Sequence, residues 1–180
     1  MFAAWDSERA IDDFLNRTTL GKCFSKGWHL RMSFLRRWGS VREFADLPED
    51  TGDCDPMAPV AAFTLARLKI PEVPRFIRWG KPVEELIRDH PESSFALAAI
   101  RFPRSVATFS MWKSQQAMTD MVQGRGSMAR PERHAIAMQE RDRRDFHREF
   151  TTLRFKPLSE HGSREWFDAL LERRNDKGRS

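Results

Sequence analysis

The chain has 180 residues, 40% of them hydrophobic and 32% charged, which suits one globular domain or two small ones. No window approaches the roughly 20 continuous apolar residues of a membrane span, and two isolated cysteines, Cys23 and Cys54, exclude a disulfide framework or a cysteine-built metal site. The net charge of +5 raises the question of nucleic acid. The basic residues, however, are interleaved with acids, as in QERDRRDFHRE, and such a run reads as a solvated helix face with i,i+4 pairing, so no nucleic-acid partner is expected.

The N-terminus carries no basic stretch followed by an apolar one, so the default location is a reducing cytoplasm. Residues 2–5, FAAW, read as the end of a strand. Ser7 then offers an N-cap, and Ala10, Ile11, Phe14 and Leu15 follow at helical spacing until Gly21 stops the helix. Residues 28–37 alternate, with Trp28, Leu30, Met32 and Phe34 on one face and His29, Arg31 and Ser33 on the other, which predicts a strand. Residues 46–59 hold three Pro, one Gly and five acids and form a linker by composition.

Beyond it, VAAFTLARLKI predicts a strand and RFIRWGKPVEELIRDH a helix that Gly80 and Pro82 should kink or divide. SSFALAAIRF and ATFSMW predict two more strands broken at Pro103. Ser114 caps a helix reaching about Gln123, PERHAIAMQERDRR predicts another with Pro131 in its first turn, and FTTLRFKPL closes the series as a strand. The order is β-α-β-β-α-β with one extra helix, the ferredoxin-like plait of an α+β protein.

The chain also repeats itself. FAAWDSERAI and FSMWKSQQAM align Trp5 with Trp112, Ser7 with Ser114, Ala10 with Ala117 and Ile11 with Met118 at a single offset. Leu35-Arg36 recurs as Leu153-Arg154, so the second copy carries about eleven extra residues, within 124–145. The expected organisation is therefore a partial ferredoxin-like repeat over 1–45 (strand, helix, strand, without its front half), a linker at 46–59, a complete repeat over 60–160 with an inserted helix near 128–145, and a tail over 161–180. Two plaits packed sheet to sheet would make an α/β barrel with an apolar interior. The missing front half calls either for chain upstream of Met1 or for another chain to complete it.

ATFSMWKS, the isolated His in RHAIAMQERDR, and DFHREFTTLRFKPL resemble the C-terminal half of the spheroidene monooxygenase family. The matching positions are Thr108, Phe109, Ser110, Trp112 and Ser114, then His134 and Ala135, then Phe146, Glu149, Arg154, Phe155, Pro157 and Leu158. The resemblance implies a dimeric-type α/β barrel, haem b, oxygenation of an apolar, carotenoid-like substrate, and electrons from a donor such as a ferredoxin. Homo-oligomer formation and peripheral contact with a membrane are compatible with it. The departures are the absent front half, His147 where the family has an aromatic, and Phe150-Thr151 in place of a more aliphatic pair.

A haem site needs an axial ligand and an apolar cavity. Of five histidines, His134 in the inserted segment is the expected iron ligand under the resemblance, against a plain surface position on its helix without it. His147 reads as packing, His29 and His161 as solvated, and His90 as a helix-end imidazolium. Arg125 and Arg130 are candidates for haem propionates, and Phe109, Met111 and Trp112 for the cavity wall, each against a solvated-loop or core alternative. Glu149 is open between orienting a neighbour and a surface role. No phosphate loop, G-x-S-x-G, H-E-x-x-H or cysteine cluster offers competing chemistry. The rival functions are a non-catalytic binding module for an apolar ligand, and a haem enzyme of the same fold with non-oxygenase chemistry such as dehydration.

Overall fold

The computed structural model describes residues 2–53, 55–125 and 131–165. It is α+β, with the elements α1 (Glu8–Arg17), α2 (Thr19–Phe24), β1 (His29–Ser40), β2 (Val60–Leu68), α3 (Val73–Arg88), β3 (Ser93–Arg101), β4 (Ser105–Trp112), α4 (Gln115–Val122), α5 (Arg133–Arg143) and β5 (His147–His161). The strands form one sheet in the order β1-β5-β2-β4-β3. From β2 onward this is the ferredoxin-like arrangement, with β2 central and antiparallel to both β4 and β5. No helix among the described residues is long and apolar enough to cross a membrane.

The described residues divide into two compact units, one formed by those up to 32 with those from 158 onward, the other by those between 33 and 157. In the first, Ser7 caps α1 by accepting from Ala10 N–H at 3.2 Å, the same geometry by which Ser114 caps α4 through Ala117 N–H at 3.1 Å. The two copies of the repeat thus share a cap as well as letters. Residues 2–5 form no strand. Four residues without a neighbouring ladder cannot make a strand, and Trp5 instead packs its ring on Phe14 at 4.8 Å. Gly21 is not a helix stop either. α1 ends at Thr18, whose hydroxyl starts α2, and Gly21 lies inside α2 because a Cβ there would come within 1.9 Å of the Phe14 carbonyl oxygen.

In the second unit, Val60, Trp112, Leu86, Met118, Met121 and Leu35 form the core between the sheet and its helices. Ala66, Leu68 and Phe146 form another, against Phe76 and Val73 of α3. α3 runs unbroken through Pro82, since the burial of Leu86 (4% exposed) secures the turn beyond it. The sheet stays open. Phe34 meets Phe155, and Gly39 lies against Phe150, so β1 runs antiparallel beside β5 and extends the existing sheet instead of founding a second one. A single strand brings only an edge, and an edge is satisfied by joining another. At Gly39 φ is +71° and a Cβ would sit 2.3 Å from the Phe150 carbonyl oxygen, so only glycine lets the strands close there.

The opposite sheet face is covered in part by a 3-10 turn at Arg42–Phe44. Phe44 meets Phe63 edge to face, and Arg67 of β2 is held by Glu43 and Glu149.

Candidate functional site

The site is built around the end of α4. Gly124, at φ +69°, donates its N–H to the Met121 carbonyl at 3.1 Å, and Arg125 N–H reaches the Asp120 carbonyl at 2.7 Å. This is a Schellman close, and it leaves the last carbonyl of the helix, Val122, in need of a donor. His134 supplies it from the first turn of α5, with Nδ1 3.0 Å from that oxygen.

A carbonyl only accepts, so Nδ1 bears the ring proton and Nε2 carries the lone pair. Burial pushes the His134 pKa below the usual value, outweighing the Val122 carbonyl, which raises it, while Arg141 lowers it further. The imidazole is therefore neutral at neutral pH, with Nε2 unprotonated. A ring oriented through one nitrogen and basic at the other is the arrangement that iron and zinc histidines adopt.

The other expected residues do not converge on it. Alternation along β4 places Trp112 on the helix-covered face, 2% exposed in the core, with Nε1–H donating to Ser110 Oγ at 3.0 Å. Phe109 and Met111 alternate to the opposite face, where Phe109 meets Phe95 edge to face at 6.0 Å. One macrocycle cannot rest on Trp112 and Phe109 together. Arg125 is held by its ion pair with Asp120 at 3.3 Å. Arg130 lies outside the described residues. Of the residues expected to hold haem, His134 offers a donor nitrogen, whereas Phe109 and Met111 build no wall beside that histidine. Ala135 and Ile136 flank it in sequence, with Ile136 39% exposed.

The remaining histidines do other work. His147 is buried among Phe76, Phe146 and Phe150, with Nδ1 3.0 Å from Asp145 Oδ1. Burial lowers its pKa, and Asp145 opposes the shift. His90 is no helix-end imidazolium. Its Nδ1 accepts the Glu92 N–H at 3.2 Å, its ring lies 5.1 Å from that of Trp112, and burial lowers its pKa. His29 and His161, expected in solvent, are half-buried and stacked at 4.8 Å with an interplanar angle of 7°. Glu149 serves Arg67.

A charged cluster that sequence reading missed fastens α5 to α3. Arg75 binds Glu72 at 2.7 Å and Glu140 at 2.9 Å, and donates to the carbonyls of Glu140 and Arg144. Arg143 grips Glu140 through two bonds of 2.8 Å, and Arg144 reaches Glu72. Arg143 first and Arg75 second hold Glu140 down to about 2. The cluster fixes the helix that carries His134. No group of three or more potential metal ligands occurs among the described residues.

No family model matches the chain, and no curated protein matches it. Solved structures do. A protein described as a candidate monooxygenase from Fusobacterium nucleatum aligns with a TM-score of 0.50 at 8% identity, over 74% of this chain and 54% of that one. A conserved protein from Methanosarcina mazei aligns with a TM-score of 0.45 at 11% identity, over 56% of this chain and 94% of that one. A Nitrosomonas europaea protein of unknown function aligns with a TM-score of 0.42 at 12% identity, over 58% of this chain and 92% of that one. The chain spans about half the length of the Fusobacterium protein, and the likeness to it is one of fold.

Proposed function

We propose that the chain is a haem-dependent, monooxygenase-like protein for an apolar, carotenoid-like substrate, in which His134 would hold the haem iron through Nε2. The observation that carries this reading is the 3.0 Å contact of His134 Nδ1 with the Val122 carbonyl, which fixes the tautomer and leaves the other nitrogen basic. Bound haem supplies activation of dioxygen, with electrons from an external donor such as a ferredoxin. The chain's own part is to orient the ring through the α4 terminus, to keep Nε2 free of a proton by burial, and to hold α5 through Arg75 and Glu140. The likeness of the sequence to spheroidene monooxygenases supports the reading, as does the fold shared with the Fusobacterium protein.

The test is a haemin titration of wild type, His134→Asn and His134→Ala. Asparagine keeps an N–H for Val122 and removes the ligand nitrogen. Both variants should lose the Soret band, while His134→Asn keeps the wild-type circular dichroism. A full Soret band in His134→Asn overturns the assignment.

A second reading has one observation in its favour. Leu97 is 48% exposed and pairs across from half-buried Phe109, giving apolar surface on the sheet face away from His134. A carrier of apolar ligands would use that face, and would bind them without haemin.

A further inference from the structure

We propose that the tip of the β3–β4 hairpin docks on an anionic phospholipid surface, a property independent of the haem reading. Scattered exposed apolar side chains are ordinary on any protein, but here they are gathered. Ile100 is 71% exposed and Phe102 is 90% exposed, two positions apart at one turn. Ile70, 57% exposed, lies two residues beyond Leu68, whose N–H bonds the Arg104 carbonyl at the same turn at 2.8 Å.

The hairpin itself carries charge of one sign. Arg101 and Arg104 flank Phe102-Pro103, and residues 93–112 contain no Asp or Glu. Neither guanidinium makes an ion pair among the described residues. Acids placed near the end of β2 are already engaged. Glu43 and Glu149 serve Arg67, which pairs in register with Ser105, and Glu72 serves Arg75 and Arg144.

An aromatic and an aliphatic side chain framed by unpaired cations match a surface with an apolar interior beneath anionic headgroups. The same charges disfavour a second copy as the occupant, because two tips meeting would set four guanidinium groups together without a carboxylate. Nucleic acid would use the cations alone, while Phe102 and Ile100 would stay in water.

The test is co-sedimentation of the full chain with vesicles of phosphatidylcholine alone or mixed with phosphatidylserine. Wild type should pellet with the mixed vesicles and not with phosphatidylcholine, and added salt should release it. Phe102→Ser should weaken binding about tenfold, and Arg101→Gln with Arg104→Gln about fivefold each. Ile100→Ser gives an independent check on the apolar part, and circular dichroism should be unchanged in all four. Sedimentation equilibrium of wild type should show no dimer that Phe102→Ser dissociates. Three results each overturn the proposal: wild type that stays in the supernatant with both vesicles, Phe102→Ser that binds like wild type, and a dimer lost in Phe102→Ser, which would assign the tip to a second copy.

Discussion

Trp112 and Phe102 stand at the two ends of the hairpin that β3 and β4 form, and they meet opposite fates. Trp112 is 2% exposed and Phe102 is 90% exposed. Both are large aromatics in stretches of similar apolarity, so hydrophobicity alone does not decide which is buried. The difference lies in what the chain brings to each end. At the Trp112 end, Ser114 starts α4, and Met118 and Met121 fold back over the ring. At the Phe102 end the chain turns directly into β4, and Phe102 stays exposed. The first aromatic is core and the second is surface to be used.

Truncation at each end should separate the two most sharply. Trp112→Ala should cost about 3–5 kcal/mol in a denaturant melt, because it empties the centre of the core, whereas Phe102→Ser should change stability by less than about 0.5 kcal/mol. Equal losses would break the comparison. Gly39→Ala, next in size, should cost about 1–3 kcal/mol, since it demands a positive φ and crowds the Phe150 carbonyl. Ser110→Ala should cost about 1–3 kcal/mol by leaving the buried Trp112 Nε1–H without its acceptor.

The smallest effect is one of pH. Glu140, at about 2 against the usual 4.5, and Glu72, held down chiefly by Arg75, bind fewer protons folded than unfolded. Their stabilisation is complete above the ordinary carboxylate value and is lost as pH falls from about 4.5 toward about 2. The melting temperature should drop through that window, and Glu140→Gln should flatten the drop. His134 adds a slope higher up. With its folded pKa lowered, the unfolded state binds more protons below the usual histidine range, so acidification through that range also destabilises the fold.

Much of the architecture was legible because it is written in local chemistry. The Ser7 and Ser114 caps and the β-α-β-β-α-β order each rest on neighbours in sequence, and the structure has them. What could not be read depends on partners far along the chain. Residues 2–5 look like a strand but find no ladder. The β1 strand joins β5 at the sheet edge, a choice between one sheet and two that no periodicity records. Phe109, Met111 and Trp112 read as one cavity wall, although adjacent positions on a strand point to opposite faces. Gly124 carries a local signal. A glycine just past a helix marks a Schellman close, and that close explains why the Val122 carbonyl is open to His134. The Arg75–Glu72–Glu140 cluster joins residues 65 positions apart, beyond any sequence window.

The most direct measurement is the absorption spectrum of the purified chain titrated with haemin, wild type beside His134→Asn. The account predicts a saturable Soret band in wild type and none in the variant, with superimposable circular dichroism. A band of equal strength in both, or none in either, contradicts the assignment of His134 as the iron ligand.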